Sequence, residues 1–252
     1  MTQPNLTDAH TAKPTVKGRR VIISGGTTGI GRAIAVLLAS EGARVFICGR
    51  DAQHLADGLE RIREVGEGDG IALDLARDDG VKRFFDAGEK YLGGIDVAVI
   101  NAAIPAEGLS TMSADEVSYA TATDFTAYLL SAHAAEARML AGDIVLIGSM
   151  SAHVLGPDST VYAGIKAGIA GFSEALRREL GPRGIKVALV EPGKTGADFQ
   201  SPDIPPDEQA DMINQEKMLR AEDIAVGVHF LLTQPSRTVI QQLVMVPRVE
   251  EE

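Results

Sequence analysis

The sequence predicts an α/β fold: a doubly wound, seven-stranded parallel sheet flanked by helices in a single domain. Three observations predict it. Short apolar runs rich in β-branched residues alternate with longer amphipathic stretches, as βαβ units require. A glycine-rich turn follows the first such run and opens directly into a helical pattern. The chain has 252 residues, 45% apolar and 23% charged, enough for one large α/β domain with a sizeable core.

In chain order, the polar stretch from Met1 to Val16 lacks the apolar run of a secretory signal and is expected to be a flexible tail, leaving 17–252 as the domain. The predicted strands are Arg20–Ser24, Ala43–Cys48, Gly70–Leu73, Asp96–Ile100, Asp143–Gly148, Lys186–Val190 and Leu243–Val246. Gly29–Ser40 reads as a helix, because Ile30, Ala33, Ile34, Leu37 and Leu38 form a stripe at helical spacing. Right-handed crossovers then bring the C-terminal ends of the strands to one edge, where open α/β sheets bind ligands. The stretch from Lys194 to about Leu219, rich in Pro, Asp and Gln, is expected to be irregular and is a candidate lid.

Charge and composition narrow the function. A net charge of -11, from 24 basic and 35 acidic residues with no dense Lys/Arg stripe, argues against a nucleic-acid partner. Charged residues or glycine interrupt every apolar segment before the roughly 18 residues a membrane span needs, so no membrane partner is expected. Cys48 is the single cysteine, which excludes an internal disulfide and a multi-cysteine zinc site and points to a cytoplasmic protein. His10, His54, His133, His153 and His229 show no metal-like pairing, and no metal is expected.

The glycine turn reads Ser24-Gly25-Gly26-Thr27-Thr28-Gly29-Ile30-Gly31. Glycines there permit positive φ and close backbone approach, and amides at the following helix start suit an anionic pyrophosphate. The bland alternative is a turn that merely fits strand to helix; the spacing also departs from the general G-x-G-x-x-G pattern. Some 20 residues on, where a carboxylate would hold a ribose hydroxyl, Cys48-Gly49-Arg50-Asp51 places glycine and then arginine. Arginine matches phosphate oxygens in a bidentate fork, so NADP(H) is expected, with NAD(H) the alternative that Asp51 favours.

Tyr162-Ala163-Gly164-Ile165-Lys166 puts a phenol and an ammonium on one helix face. Phenols ordinarily titrate near ~10, so proton exchange near neutrality calls for adjacent positive charge. Ser149 follows the strand Asp143–Gly148, with Ser151 as the nearby alternative; either hydroxyl is able to donate to a ligand or to serve as a turn residue bonding its own backbone.

With the turn Glu191-Pro192-Gly193, these motifs resemble those of the short-chain dehydrogenase/reductase family over roughly Gly18 to Val246, Ser24 standing for the family's Thr. The resemblance implies a Rossmann-like fold and hydride transfer between a nicotinamide cofactor and a small or medium carbonyl or alcohol substrate. It also implies a homotetramer or homodimer. Tyr162 would be the general acid/base, Lys166 would bond the nicotinamide ribose, and Ser149 would orient the substrate. Cofactor contacts are implied for Gly25, Thr27, Thr28, Gly29, Ile30, Gly31, Arg50, Asp74, Leu75, Asn101, Ala102, Ala103, Tyr162, Lys166, Pro192 and Gly193. Thr195 joins them in place of a family Thr that is Ala197 here.

The chain departs from the family at several positions. Ile100-Asn101-Ala102-Ala103 stands where most members read Asn-Asn-Ala-Gly, so Ile100 removes a polar side chain and Ala103 narrows the space beside the cofactor. Asp124 replaces an Asn whose main-chain carbonyl sustains a proton relay to the lysine. It would keep that backbone role, stabilise the Lys166 ammonium, or oppose phenolate on Tyr162. These departures sustain a second reading, a non-catalytic dinucleotide-binding sensor on the same fold. An enoyl reductase is disfavoured by Ile169, where its lysine would stand, and the chain end lacks the family's terminal Asp-Gly-Gly, so quaternary packing is expected to differ. Met112, Met150, Leu155, Phe199, Met212 and Met218 suggest an apolar pocket.

Overall fold

The computed structural model describes residues 13–196 and 204–249. Its strands are β1 Arg20–Ser24, β2 Arg44–Gly49, β3 Glu67–Ala72, β4 Val97–Ile100, β5 Gly142–Ile147, β6 Ile185–Pro192, the two-residue β7 Thr195–Gly196 and β8 Leu219–Arg220, and β9 Gln242–Met245. Seven of them form one parallel sheet in the order β3-β2-β1-β4-β5-β6-β9. The winding reverses between β1 and β4, and that switch point opens the crevice in which α/β sheets of this kind bind ligands.

Each central strand is buried on both faces, as parallel sheets require. Val21 and Ile23 of β1 face α1 Gly29–Ser40, α2 Ala52–Val65 and α8 Ala221–Leu232, in a cluster with Ile34, Leu38, Ile62 and Val228. Ile22 of the same strand joins the opposite cluster with Phe84, Phe85, Tyr128 and Ile169. That second layer comprises α3 Gly80–Leu92, α4 Ala114–Thr121, α5 Ala127–Glu136 and α6 Thr160–Leu180. Each such aliphatic side chain contributes about 1.5–3 kcal/mol by leaving water.

All seven predicted strands are present, most within one or two residues of their expected ends. β3 is the exception, since it begins at Glu67 rather than Gly70. Glu67-Gly68-Asp69-Gly70 has no β-branched residue to mark it. The glycines are needed because a Cβ on Gly68 would lie 2.5 Å from Ile62 Cγ2, and one on Gly70 would lie 2.7 Å from the Ile47 carbonyl oxygen. α1 spans its predicted range, but Ala35 and Ala39 are buried where Ala33 and Leu37 are only partly so, because α1 packs against α8 as well as the sheet.

Two expectations need correction. Val16, placed in the tail, is 1% exposed and belongs to the α1-side cluster, with Arg19 N–H bonding its carbonyl at 3.0 Å. The ordered domain therefore starts before residue 17, and residues 1–12 of the expected tail lie outside the described residues. The supposedly irregular stretch 194–219 holds β7, which pairs in parallel with β8, and helix α7 Pro206–Asn214. Pro at the helix start followed by Asp207 and Glu208 in its first turn is a helix N-terminal signature that the Pro-rich composition masked. Ala197 and Phe199 fall outside the described residues. No described helix is long and apolar enough to cross a membrane.

Candidate active site

Two adjoining cavities of about 540 and 490 Å³ open at the C-terminal ends of β1, β4 and β5, sharing Thr28, Asn101, Ala103, Ile104 and Pro105 in their walls. The larger is formed by the glycine turn, the end of β2 and the Asp74–Leu75 loop; the smaller holds Ser149, Tyr162 and Lys166.

The glycine turn is folded back on the loop after β4. Gly25 has φ +65°, and a Cβ there would lie 2.7 Å from Ala102 Cα. A Cβ on Gly31 would lie 2.1 Å from the Gly25 carbonyl oxygen, so Gly31 lets α1 settle onto the turn and is absent from the cavity walls. The Ser24 hydroxyl accepts from the Asn101 and Ala102 amides at 2.9 and 3.1 Å, and Asn101 Nδ2 donates to the carbonyls of Ser24 and Gly25. Asn101 thus locks the turn in addition to lining both cavities. Thr28 enters α1 extended, its own side chain makes no cap hydrogen bond and the first turn carries no acid, an arrangement compatible with an anion at the helix start.

At the far end of the larger cavity, Arg50 Nη1 donates to the Tyr119 hydroxyl at 2.8 Å, and that hydroxyl donates to Asp74 Oδ2 at 3.0 Å. Asp74 lies two residues past the end of β3 and accepts the Ala76 amide through its other oxygen, so it is both a turn residue and a wall residue. Leu75 is buried beside it. Asp51 caps α2 by accepting the His54 amide at 2.8 Å, a bond that holds its carboxyl below the usual range. Asp51 stays ionised there and lines the same cavity as Arg50, so its charge still favours NAD(H) against the phosphate that Arg50 suits. Gly49 fits because a Cβ would meet Thr27 Oγ1 at 2.4 Å. Tyr119 was not foreseen; it sits 45 and 69 residues from its two partners, beyond any local sequence signal.

In the smaller cavity, α6 presents Tyr162 in its first turn and Lys166 one turn later. The Lys166 ammonium is buried, donates to the Ile147 carbonyl at 3.3 Å and lies 5.4 Å from the centre of the Tyr162 ring. It lies 5.3 Å from the ring of Tyr128, a fully buried phenol on α5 that donates to the same carbonyl at 3.1 Å. Burial works against the ammonium, but Tyr128, Tyr162 and Asp124 outweigh it and hold Lys166 above its usual value. Burial likewise pushes Tyr128 up to about 12. Tyr128 went unremarked in the sequence, although it stands one turn beyond Asp124. Ser149 is extended; its Oγ donates to Ser151 Oγ and accepts the Ser151 amide, both at 3.1 Å, so the two candidate serines act as a pair. Pro192, Gly193 and Thr195 line the opposite wall, the Thr195 hydroxyl donating to the Gly193 carbonyl at 2.9 Å.

Asp124 occupies a π-helical turn, Ala122–Thr126, between α4 and α5. It is wholly buried rather than solvated or capping. Oδ1 accepts the Ile104 amide at 2.8 Å, and Oδ2 has no hydrogen-bond partner among the described residues. Burial outweighs the attraction of Lys166 and raises its carboxyl to about 6. Asp124 is absent from both cavity walls and acts from behind Ile104.

The profile of the short chain dehydrogenases matches residues 19–207, three quarters of the chain. The chain belongs to that family. A 3-oxoacyl-(acyl-carrier-protein) reductase of Haemophilus influenzae is 32% identical over 226 residues, covering 86% of this chain and 91% of the relative. An uncharacterised oxidoreductase of Staphylococcus aureus is 27% identical over 234 residues, covering 90% and 96%. Among solved structures, a short chain dehydrogenase from Burkholderia cenocepacia in complex with NADP superposes with a TM-score of 0.82 at 28% identity, covering 92% of this chain and 98% of the other.

In this short-chain dehydrogenase some expected site features lie elsewhere. Ile100 is 2% exposed, in register with Leu146 inside the core, so its lost polarity is not felt at the cavity. Ala103 does line both cavities. Of the described methionines and other apolar residues expected in a pocket, only Met150 reaches one; Leu155 is 73% exposed and Met218 is buried, while Ile104, Pro105, Ala106 and Val154 supply the apolar wall. His153 Nε2 lies 3.0 Å from both oxygens of Glu191, a wholly buried carboxylate that Gln242 of β9 also bonds.

Proposed function

We propose that this short-chain dehydrogenase is an NADP(H)-dependent oxidoreductase that interconverts a carbonyl and an alcohol on a small or medium-sized molecule, with Tyr162 as general acid/base. One observation carries the reading: Ser149, Tyr162 and Lys166 line a single cavity, with the ammonium 5.4 Å from the phenol ring.

The residues present fit a dinucleotide. The glycine turn and the uncapped start of α1 suit the pyrophosphate, Arg50 a 2′-phosphate, and Asp74 the adenosine side of the larger cavity. Gly193, Thr195 and Lys166 suit the nicotinamide end. The relative solved with NADP supports the same choice. When bound, the nicotinamide supplies or accepts the hydride.

The chain's own groups do the rest. Tyr162 donates its phenolic proton to the carbonyl oxygen in reduction and takes the alcohol proton in oxidation. The Ser149 hydroxyl donates to the same oxygen as negative charge grows on it. The Lys166 ammonium sets positive charge 5.4 Å from the centre of the Tyr162 ring, and burial away from water strengthens its field there. Tyr162→Phe tests the assignment. Carbonyl-dependent loss of NADPH absorbance is expected to fall on the order of a hundred- to ten-thousandfold, with NADPH binding by fluorescence retained. Wild-type turnover in that variant would overturn it.

A further inference from the structure

We infer that the substrate carries an anionic group, a carboxylate, on an apolar stem, and that Lys194 receives it. The inference rests on the proposed reaction at Tyr162, since it concerns the other groups of the same cavity.

Among the described residues, the wall of the 490 Å³ cavity contains no Asp or Glu, although the chain has 35 acidic residues against 24 basic ones. Its charged side chains are Lys166 and Lys194. Lys166 is buried among the two phenols and Asp124 and has its own work. Lys194 is exposed at the cavity, and no described residue accepts a hydrogen bond from its ammonium or pairs with it.

The cation is also held in place. Gly193 N–H donates to the Met245 carbonyl of β9 at 2.7 Å, the Lys194 carbonyl accepts the Leu219 amide at 2.9 Å, and Thr195 is in register with Leu219. The backbone on both sides of Lys194 is therefore fixed by the edge of the main sheet and by the β7–β8 ladder, and the ammonium moves only on its own stem. Around the same space stand Ile104, Pro105, Ala106, Met150 and Val154. A neutral apolar substrate leaves the cation unused, and a cationic one meets two lysines with no acid among the described lining residues. A carboxylate gains a charge-assisted hydrogen bond in a wall whose described residues offer it no competing anion.

The test uses the protein loaded with NADP+, titrated calorimetrically with a graded series of keto acids, short aliphatic to aryl, each beside its methyl ester. Wild type is expected to bind the better acids at least about tenfold more tightly than their esters, equivalent to ~1.4 kcal/mol. The preference shrinks with salt. Lys194→Met removes it while leaving ester binding and NADPH affinity unchanged, and Lys194→Arg restores it. Equal binding of acid and ester by wild type overturns the inference. So does a Lys194→Met variant that keeps the preference, or one that instead loses NADPH affinity, which would give the ammonium to the cofactor's diphosphate. Turnover is read separately: acid preference with no hydride transfer supports Lys194 and counts against the oxidoreductase reading.

Discussion

The guanidinium of Arg50 donates to the hydroxyl of Tyr119 at 2.8 Å and lies over its ring, 5.9 Å from the centre. The same hydroxyl reaches Asp74, so one phenol from α4 joins two walls of the larger cavity. Tyr119→Phe keeps the ring and removes both bonds. A lost hydrogen bond of this kind is worth ~1 kcal/mol, so NADPH should bind about fivefold more weakly, with NADH less affected because it has no phosphate for Arg50 to meet. Titration of both cofactors by fluorescence, with Arg50→Ala as the larger reference effect, measures the ratio.

Gly49 is where an NAD-preferring relative would carry an acid, yet Gly49→Asp alone is expected to weaken both cofactors rather than exchange them. Its Cβ would stand 2.4 Å from Thr27 Oγ1 and 2.5 Å from Thr27 Cγ2, and Thr27 is itself buried in the turn. Thr27→Ala deletes those two atoms. The double variant Gly49→Asp with Thr27→Ala should recover binding and prefer NADH; dissociation constants for the four variants decide it.

These relationships separate what local pattern reveals from what packing hides. The sheet, the glycine turn and the Tyr162–Lys166 pair were legible because each is written within a few neighbouring residues, as alternation, as glycine spacing, or as two side chains one helical turn apart. Tyr119 meets partners 45 and 69 residues away, while Tyr128 and Lys194, though beside residues already singled out, look locally like any aromatic or charged residue. β3 was displaced because its glycines answer to Ile62 and Ile47 rather than to strand propensity. Ile100 misled in the other direction: its change of polarity drew attention to the cofactor, whereas its side chain points into the core.

Asp124 should make the fold pH-sensitive. Its carboxyl is raised from 3.8 to about 6 in the folded protein, so between those values the native state holds a proton that the unfolded chain has released. Stability contributed by this group is therefore present below about 4 and falls as pH rises through about 6, by up to roughly 3 kcal/mol. Asp124→Asn retains an oxygen for the Ile104 amide and cannot ionise, so its unfolding free energy should rise relative to wild type across that window, the other carboxyls cancelling in the difference. In activity, wild type should gain as pH passes through about 6 and Asp124 becomes the anion beside Lys166; the variant should lack that limb. Urea unfolding and kcat/KM measured from pH 4 to 8 test both halves.

The buried carboxylate of Glu191 meets His153 through both oxygens and fastens the loop that carries Ser149 and Ser151 to the end of β6. Removing His153 takes one hydrogen-bond partner from a buried side chain that Gln242 still bonds. His153 is 45% exposed, so water can partly replace it, and His153→Ala should destabilise the protein by about 1–2 kcal/mol. Glu191→Gln should cost less in that background than alone. If the single variants instead add without any coupling in urea midpoints, the pair does not hold the loop. On the proposed mechanism the same coupling should appear as a lowered kcat in His153→Ala with NADPH binding retained, because a slackened loop displaces the Ser149 hydroxyl from an oxygen on which negative charge develops and leaves Tyr162 on α6 where it was.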